Sequence, residues 1–401
     1  MLSGILLAVD RGDVAALILF DLSAAFDTVD YEILLQRLQT TYGISDVAHR
    51  WLRSYLLVRS KYVRIGTSCS SVIDLICGVR RGSVLGPVLF ILYTAGLISL
   101  IESHGLTPHL YHADDTQVYG SCPAFNVDAF SAKLTACCCA VASWIQSNRL
   151  QLNSDRTEVL WCATTRRQHQ LPRSPLLVDG TPINPVQSER DLGIFIDADL
   201  MMRTRVQKTV SRCFAVLRQL RSIRHSVPAT TFQTLIVWLV LSRLDYGNAV
   251  LAGLSAYLFR RLQSVMNAVA RLIYGLRHSG HICNALISLH WLRAQERVRF
   301  KTAVLMYKAT HATAPSYLSQ LVRVADLPGR RSLRSARTNR LLVPSVKLST
   351  VGGRAFPVSG PTIWNSLPDS VISAPSLSTF RQRLKTFLFQ ASFPDIIIDP
   401  R

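Results

Sequence analysis

An uninterrupted apolar run that ends at a carboxylate is the feature that most constrains the fold of this chain. Residues 14–20 (VAALILF) are apolar and partly β-branched, and Asp21 follows them directly. Such a run is typical of a buried strand, since β-branched residues fit a pleated sheet and a solvent-facing strand would alternate with polar residues. The sequence therefore predicts a core strand with Asp21 at its end.

A second acidic feature lies between two short apolar segments at residues 110–119. Asp114 and Asp115 are adjacent there, where the pattern predicts two strands joined by a turn. Neighbouring carboxylates repel each other unless a cation binds between them, and all-oxygen sites suit hard divalent ions such as Mg²⁺. A pair of this kind by itself is more often a polar hairpin turn. Its occurrence after the strand-terminal Asp21 favours a metal site.

A glycine-rich loop separates the two acidic features. Residues 78–94 read GVRRGSVLGPVLFILYT, in which Gly82 and Gly86 precede a long apolar helix predicted over 88–101. Glycine allows the backbone to approach a ligand closely, such as a nucleotide or a template base. The loop is weak evidence alone and becomes informative because of its position between Asp21 and Asp114.

The rest of the pattern predicts an α+β first half and a helical second half. In the first half, helices are predicted over 30–57 with a break at Gly43 and over 127–148, and strands at 61–65, at Trp161 and at 192–196. In the second half, helices are predicted over 201–224, 229–245, 255–275, 291–311 and 376–390, with a loop-rich segment over 326–361.

Charge is distributed unevenly along the 401 residues. The net charge is +20, and residues 1–199 carry −3 whereas residues 200–401 carry +23. This asymmetry favours an acidic half that performs chemistry and a basic half that binds a polyanion. A merely solvated basic surface is the alternative.

Cysteine usage and hydropathy indicate an intracellular protein that does not span a membrane. The nine cysteines have no regular spacing, which argues against a disulfide framework or a zinc site. The uncharged residues 83–101 are long enough to cross a membrane, but Gly86-Pro87 and Gly96 fit a turn followed by a buried helix better. The apolar amino terminus is too short for a signal peptide.

Several motifs, taken in order, closely resemble the reverse transcriptase of non-LTR (LINE-type) retrotransposons of the chicken-repeat/Jockey-like branch. They are DLSAAFD (21–27), GSVLGP (82–87), ADDTQ (113–117), Leu152-Asn153 with Thr157-Glu158, and Leu192-Gly193. Further segments of the basic half resemble the same family: RLDYGNAVLAG (243–253), NAVARLIYG (267–275), LISLHWL (286–292), RSLRSAR (331–337), GRAFPVSGPTIWNSLP (353–368) and FRQRLKTFLF (380–389).

The resemblance implies an RNA-directed DNA polymerase that uses two Mg²⁺ ions, or Mn²⁺, to join a dNTP to a primer 3′-hydroxyl. Its implied partners are an RNA template, a DNA primer or target DNA, and dNTPs, in the nucleus or cytoplasm; no oligomeric state is indicated. The implied roles are these: Asp21, Asp114 and Asp115 bind metal and catalyse; Phe26 screens the sugar 2′ position; Arg81, Gly82, Ser83 and Arg156 contact substrate; Leu192 and Gly193 grip the primer.

The same resemblance implies a right-hand polymerase palm over 1–199, followed by a helical thumb-like region over 200–310. Residues 311–401 form a basic carboxyl-terminal segment, in which we expect four arginines to contact nucleic acid: Arg330, Arg331, Arg334 and Arg337.

Three departures from the family pattern favour an alternative, a catalytically inactive nucleic-acid-binding remnant. Arg80-Arg81 replaces Pro-Gln, His112 replaces Tyr or Phe, and Arg156 replaces Lys. Arg barely deprotonates and is a poor general acid toward pyrophosphate. The chain also begins just before the first catalytic strand, as expected for an amino-terminally truncated copy that lacks most of the fingers. A metal-dependent nuclease would need carboxylates outside the polymerase order, and no convincing set is present.

Overall fold

The structure is a computed structural model that describes residues 1–111, 115–178, 180–277, 280–319, 321–326 and 339–394. It divides into two compact units. The first consists of Met1 and Gly12–Glu189, and the second of Leu2–Arg11 and the chain from Arg190 onward. The domain boundaries predicted at residues 199 and 310 remain predictions.

Helix α1 spans Leu2–Arg11 and belongs to the second unit. The helices of the first unit are α2 (Tyr31–Thr40), α3 (Asp46–Leu56), α4 (Leu85–Thr94), α5 (Gly96–Ser103) and α6 (Val127–Ser147). Its strands are β1 (Asp13–Phe20), β2 (Leu22–Ser23), β3 (Arg59–Lys61), β4 (Arg64–Ile65), β5 (Ser68–Cys69), β6 (Ile73–Leu75), β7 (Thr107–Tyr111), β8 (Asp115–Pro123), β9 (Gln151–Leu152), β10 (Glu158–Cys162), β11 (Leu176–Val178) and β12 (Thr181–Ile183).

A four-stranded antiparallel sheet, in the order β10-β1-β8-β7, organises the first unit. Strand β1 is central, and Val14 through Ile18 are fully buried. Alternate residues of a strand point to opposite faces, so both faces of β1 are covered, which explains its continuous apolar run. The predicted core strand is confirmed, as are the two strands around the acidic turn.

Helices α4 and α5 form the long apolar segment after the glycine loop. The predicted single helix over 88–101 is instead two helices, with the break at Ala95. Phe90, Tyr93, Leu97 and Ile101 are buried in the same core as the even-numbered residues of β1.

The stretches Leu85–Ser103 and Ala124–Ser147 are long and apolar enough to cross a membrane by length and composition alone. Core helices of water-soluble proteins meet the same criterion, so these lengths do not favour a membrane span.

The second unit is mainly helical. Its hairpin has strands β13 (Ser188–Asp191) and β14 (Ile194–Asp197), and the division between units falls within β13. Its further helices are α7 (Arg203–Ile223), α8 (Ala229–Ile236), α9 (Ser242–Asp245), α10 (Ala256–Tyr274), α11 (Cys283–Ser288), α12 (Ala294–Thr310), α13 (Phe356–Asn365), α14 (Asp369–Ile372) and α15 (Leu377–Ser392). A π-helical turn, Val237–Leu241, joins α8 to α9.

The carboxyl-terminal motif GRAFP enters the core of the second unit instead of remaining loop. Arg354 is 4% exposed and donates to the carbonyl of Leu200, and burial lowers the pKa of its guanidinium to about 10. Helix α13 then starts at Phe356, within the segment predicted to be loop. Proline is tolerated in the first helical turn, and close packing of Gly360 against Met306 stabilises the helix despite Pro361 in its interior.

Helix α1 is fastened to the segment that precedes α13. The carboxylate of Asp10 is 6% exposed and accepts hydrogen bonds from the backbone nitrogens of Lys347, at 3.0 Å, and Leu348, at 2.6 Å. The hydroxyl of Ser3 accepts a third bond from the nitrogen of Phe356, at 3.1 Å. These contacts satisfy backbone donors that have no helical partner.

We expect Asp10→Asn to destabilise the protein by about 1–3 kcal/mol, since the amide leaves one buried backbone donor without an acceptor. The free energy of unfolding, measured by urea titration, tests this. Asp13→Asn removes the same charge from a half-buried position and serves as the control. An Asp10 variant as stable as that control would contradict the proposed role of the carboxylate.

Candidate active site

The register of the central sheet brings two of the predicted catalytic residues together. Strands β1 and β8 are antiparallel, and the last pair in their register is Phe20 opposite Thr116. Continuing that register by one residue places Asp21 opposite Asp115. Residues that face each other across antiparallel strands have Cα atoms about 4.5–5.5 Å apart. Asp21 is half-buried and Asp115 exposed, so both lie at one accessible end of the sheet.

Asp21 is held from its other side by Asn153. The side-chain amide of Asn153 donates to Oδ2 of Asp21 at 2.9 Å, and its backbone nitrogen donates to the carbonyl of Asp21 at 2.8 Å. Pairing of β2 with β9, Leu22 opposite Leu152, brings the two segments together. Asn153 belongs to the motif Leu152-Asn153, from which no site role was predicted for it. A polar residue directly after a short strand was the available signal.

His112, Ala113 and Asp114 lie outside the described residues. Within the described part of the chain, no group of three or more His, Cys, Asp or Glu side chains has the spacing of a metal site. Asp21 and Asp115 nevertheless offer only oxygen ligands at the same end of the sheet, and such ligands suit a hard divalent cation such as Mg²⁺. The chemistry of these two groups is therefore compatible with the predicted metal.

Phe26 and Arg81 were both predicted to contact substrate, and the structure brings them together. A tight turn after β2 is closed by a bond of 2.7 Å from the nitrogen of Asp27 to the carbonyl of Ala24. Phe26, on this turn, is 9% exposed, and its ring centroid lies 5.3 Å from that of Phe90. The guanidinium carbon of Arg81 lies 6.0 Å from the Phe26 ring. Phe26 is thus both a core aromatic and a neighbour of the glycine loop.

The glycine loop presents open backbone in front of α4. Gly82 has φ of +79°, a conformation that favours glycine, and no atom lies within 4 Å of where its Cβ would stand. The hydroxyl of Ser83 donates to the carbonyl of Arg80 and accepts from the nitrogen of Gly86. Gly86 itself cannot carry a side chain, because a Cβ would lie 2.6 Å from the Arg80 carbonyl. Ser83 therefore shapes the loop as well as being a candidate substrate contact.

Arg156 lies one turn after Asn153 in the first unit. Its backbone nitrogen donates to the carbonyl of Asn153 at 3.2 Å, and its side chain is exposed. The predicted substrate contact is thus close in the chain to the residue that holds Asp21.

The predicted primer-grip turn, Leu192-Gly193, lies in the second unit and is held by Tyr246, which belongs to the motif RLDYGNAVLAG (243–253). The phenol of Tyr246 donates to the carbonyl of Leu192 at 2.7 Å, and the buried Arg205 donates to the carbonyl of Tyr246 at 2.6 Å. Both turn residues have positive φ, +44° and +81°. A cavity of about 520 Å³ beside the turn is lined by four arginines: Arg190, Arg205, Arg212 and Arg243.

The four arginines predicted to contact nucleic acid in the carboxyl-terminal segment lie outside the described residues: Arg330, Arg331, Arg334 and Arg337.

Residues 7–184 match the family of reverse transcriptases, or RNA-dependent DNA polymerases. That match contains both sheet carboxylates, Phe26, the glycine loop and Arg156. This part of the chain is therefore similar to reverse transcriptase domains.

Two curated proteins of Drosophila melanogaster are similar to the chain over a longer stretch. The chain is 25% identical to a probable RNA-directed DNA polymerase from transposon BS, over 75% of its own length and 34% of that protein. It is also 25% identical to the corresponding protein from transposon X-element, over 68% of its length and 29% of that protein. Both likenesses extend well beyond the reverse transcriptase match, although the chain spans only about a third of each relative. The predicted resemblance to LINE-type reverse transcriptases is confirmed.

Among solved structures, the chain is similar to the telomerase of Candida albicans in complex with a fragment of telomeric RNA. The TM-score is 0.35 and the identity 11%, over 68% of this chain and 49% of the other. The mixed helix-and-sheet architecture and the family match agree with the predicted polymerase palm. Truncation of the chain, the thumb-like region and the separate carboxyl-terminal segment remain predictions.

Proposed function

We propose that this chain is an RNA-directed DNA polymerase that copies an RNA template by extending the 3′-hydroxyl of a DNA primer with dNTPs. The observation that supports this most strongly is the register of β1 and β8, which ends at Phe20 opposite Thr116 and, continued by one residue, would set Asp21 opposite Asp115. Asp114 immediately precedes Asp115 in the chain. The three carboxylates would together hold two Mg²⁺ ions, or Mn²⁺.

Two divalent cations, when bound, would favour the deprotonated primer hydroxyl and stabilise the departing pyrophosphate. The residues of the chain supply the surroundings for that reaction. Asn153 fixes the orientation of the Asp21 carboxylate through its amide. Phe26 and Arg81 form an apolar wall with a guanidinium beside it, suited to a sugar ring and a phosphate.

The proposal is tested by incubating the purified chain with a DNA primer annealed to an RNA template, dNTPs and Mg²⁺. We expect extended DNA whose sequence is complementary to the template, and none in the presence of a chelator. Extension on DNA templates only would indicate a polymerase of another specificity. Absence of extension on either template would contradict the proposal.

The presence of Arg156 favours a second candidate function, a nucleic-acid-binding protein that does not catalyse. A guanidinium group holds its proton much more tightly than the ammonium group of lysine, so it transfers a proton to pyrophosphate poorly. Binding of primer–template with no extension under any divalent cation would support this candidate.

Restoring the family pattern should increase catalysis if these departures limit it. We expect the triple variant Arg81→Gln, His112→Tyr and Arg156→Lys to extend a primer about 100-fold faster than the unaltered chain, which is the lower end of what general acid catalysis typically contributes. Arg166→Lys makes the same substitution in another segment and is the control. A triple variant no faster than the unaltered chain would show that these residues do not limit the reaction.

A further inference from the structure

A groove between α7 and α10 in the second unit is lined by several arginines, and no acidic residue lines it among the residues that the structure describes. Its cavity has a volume of about 740 Å³. Phe214 and Leu217 from α7, together with Leu272 and Leu276, supply apolar surface, and Ser264 and Asn267 supply polar groups. Five arginines complete the lining: Arg218, Arg221, Arg224, Arg271 and Arg277.

The charges of these arginines are not neutralised within the described part of the chain, where none of the five forms an ion pair. Arg224 donates to the carbonyl of Ile273 at 3.3 Å and so completes the end of α10. The Nε atom of Arg271 is buried and has no hydrogen-bond partner among described residues. A buried donor without an acceptor is costly, which favours a ligand that brings acceptor oxygens.

Helix ends do not account for so many arginines. Both α7 and α10 finish beside the groove, and a helix carboxyl end carries a partial charge of roughly −0.5. Two such ends supply about −1, against five guanidinium charges, so a positive charge of about +4 remains. One arginine, Arg224, suffices to bond the end of α10. The others are available for an anion from outside.

The combination of arginines and apolar surface favours a nucleic acid over other anions. Guanidinium binds phosphate through two parallel hydrogen bonds and also stacks on planar rings. Aromatic and apolar side chains such as Phe214 and Leu272 can receive unpaired bases, which bind protein surfaces largely by stacking. A nucleic acid strand carries a planar base beside every phosphate, which matches a surface that combines guanidinium groups with apolar side chains.

We propose that the groove between α7 and α10 binds the phosphodiester backbone of a single-stranded nucleic acid, RNA or DNA. This site is separate from the sheet carboxylates and goes beyond the proposed polymerase reaction, since it requires neither metal nor dNTP. The arginines of the groove bind the phosphate groups of the strand, and its apolar residues contact the bases. Sequence preference is weak, because no rigid array of donors and acceptors reads base edges.

The test uses the full chain and fluorescence anisotropy with labelled single-stranded RNA and DNA oligonucleotides, in a chelator and at several salt concentrations. The test variant is Arg218→Gln with Arg221→Gln, because both side chains are exposed and form no ion pair that holds the fold. The matched control is Arg381→Gln with Lys385→Gln on α15, which removes two charges outside the groove. Thermal unfolding of both variants verifies that the fold is intact.

Each phosphate contact on a single strand contributes a slope of about −0.7 to log affinity against log salt. Lowering the salt from ~1 M to ~0.1 M therefore raises the binding affinity about fivefold for each phosphate contact, and about 25-fold for two contacts. We expect the groove variant to bind about 25-fold more weakly with a slope shallower by roughly 1.4, and the control to change by less than about twofold. If RNA and DNA are affected equally, the backbone is the recognised part; a loss confined to RNA would add recognition of the 2′-hydroxyl.

Equal losses in the groove variant and the control would show generic charge attraction and overturn the proposal, as would undiminished binding by the groove variant. If the glutamine variant fails to fold, Arg218→Lys with Arg221→Lys keeps the charge but loses paired phosphate bonding, and should weaken binding with an unchanged salt slope. Unaltered affinity in that folded variant would also overturn the proposal. Because the assay contains no metal, its outcome is independent of whether the chain synthesises DNA.

Discussion

Replacing Asp115 by Asn is expected to reduce primer extension at least about 1,000-fold, because the variant loses a charged oxygen ligand for the cations that activate the primer hydroxyl. Asp115 is exposed, and the register of β1 and β8 continued by one residue sets it opposite Asp21, so we expect removal of its charge to relieve repulsion between carboxylates. We therefore expect the free energy of unfolding to be equal or slightly higher. Asp114→Asn should behave in the same way.

The measurement is single-turnover incorporation of one dNTP, together with urea unfolding of each variant. Asp128→Asn removes a charge from the exposed first turn of α6 and serves as the control, with incorporation close to that of the unaltered chain. If Asp115→Asn retains full incorporation, the assignment of this carboxylate to the metal site is wrong.

Replacing Phe26 by Ala should have the largest effect on stability, since the ring is 9% exposed and packs against Phe90. Removing a buried aromatic side chain typically costs about 3–5 kcal/mol. We also expect ribonucleotide incorporation to rise relative to deoxynucleotide incorporation, because the wall beside Arg81 is lost.

The two roles of Phe26 are separated by comparing it with Phe90, which is fully buried in the same core. Phe90→Ala should lose similar stability without a change in nucleotide selection. The ratio of ribonucleotide to deoxynucleotide incorporation, measured for both folded variants at low temperature, tests this. An unchanged ratio in Phe26→Ala would leave Phe26 a core aromatic only.

The sequence allowed the centre of the first unit to be predicted because its signals are local. The apolar residues 14–20 predict a buried strand, and Asp21 follows at its end. The strands around Asp115 and the glycine loop before α4 also depend on neighbouring residues. The antiparallel register that aligns Asp21 with Asp115 could be expected only from the family resemblance, since pairing between distant strands has no local signal.

Contacts between distant segments could not be predicted in this way. Nothing in the sequence near Asp10 indicates that it binds the backbone of Lys347 and Leu348. Helix α13 was missed because its glycine and prolines favour loop, and tertiary packing against Met306 outweighed that preference. Asn153 was missed as a site residue for a similar reason, since its bond to Asp21 spans 132 residues of chain.

The arginine groove shows why net charge alone does not identify a binding surface. The +23 charge of the second half indicated a polyanion partner, and its basic residues lie both on helices and in the loop-rich tail, where four contacts were expected: Arg330, Arg331, Arg334 and Arg337. The groove instead gathers arginines from two helices about fifty residues apart in the chain, a spacing at which no sequence window brings them together. That the tail arginines also contact nucleic acid remains a prediction.

The most direct test of the catalytic site is incorporation of a single dNTP opposite an RNA template by the unaltered chain and by Asp21→Asn, side by side with Mg²⁺. Asp21 follows the central strand β1, accepts a hydrogen bond from Asn153 and lies at the sheet end to which the register of β1 and β8 also brings Asp115. The proposed metal site therefore depends on Asp21 more than on any other residue. We predict a primer longer by one nucleotide with the unaltered chain and none with Asp21→Asn. Equal product from both proteins, or no product from the unaltered chain, would contradict the account.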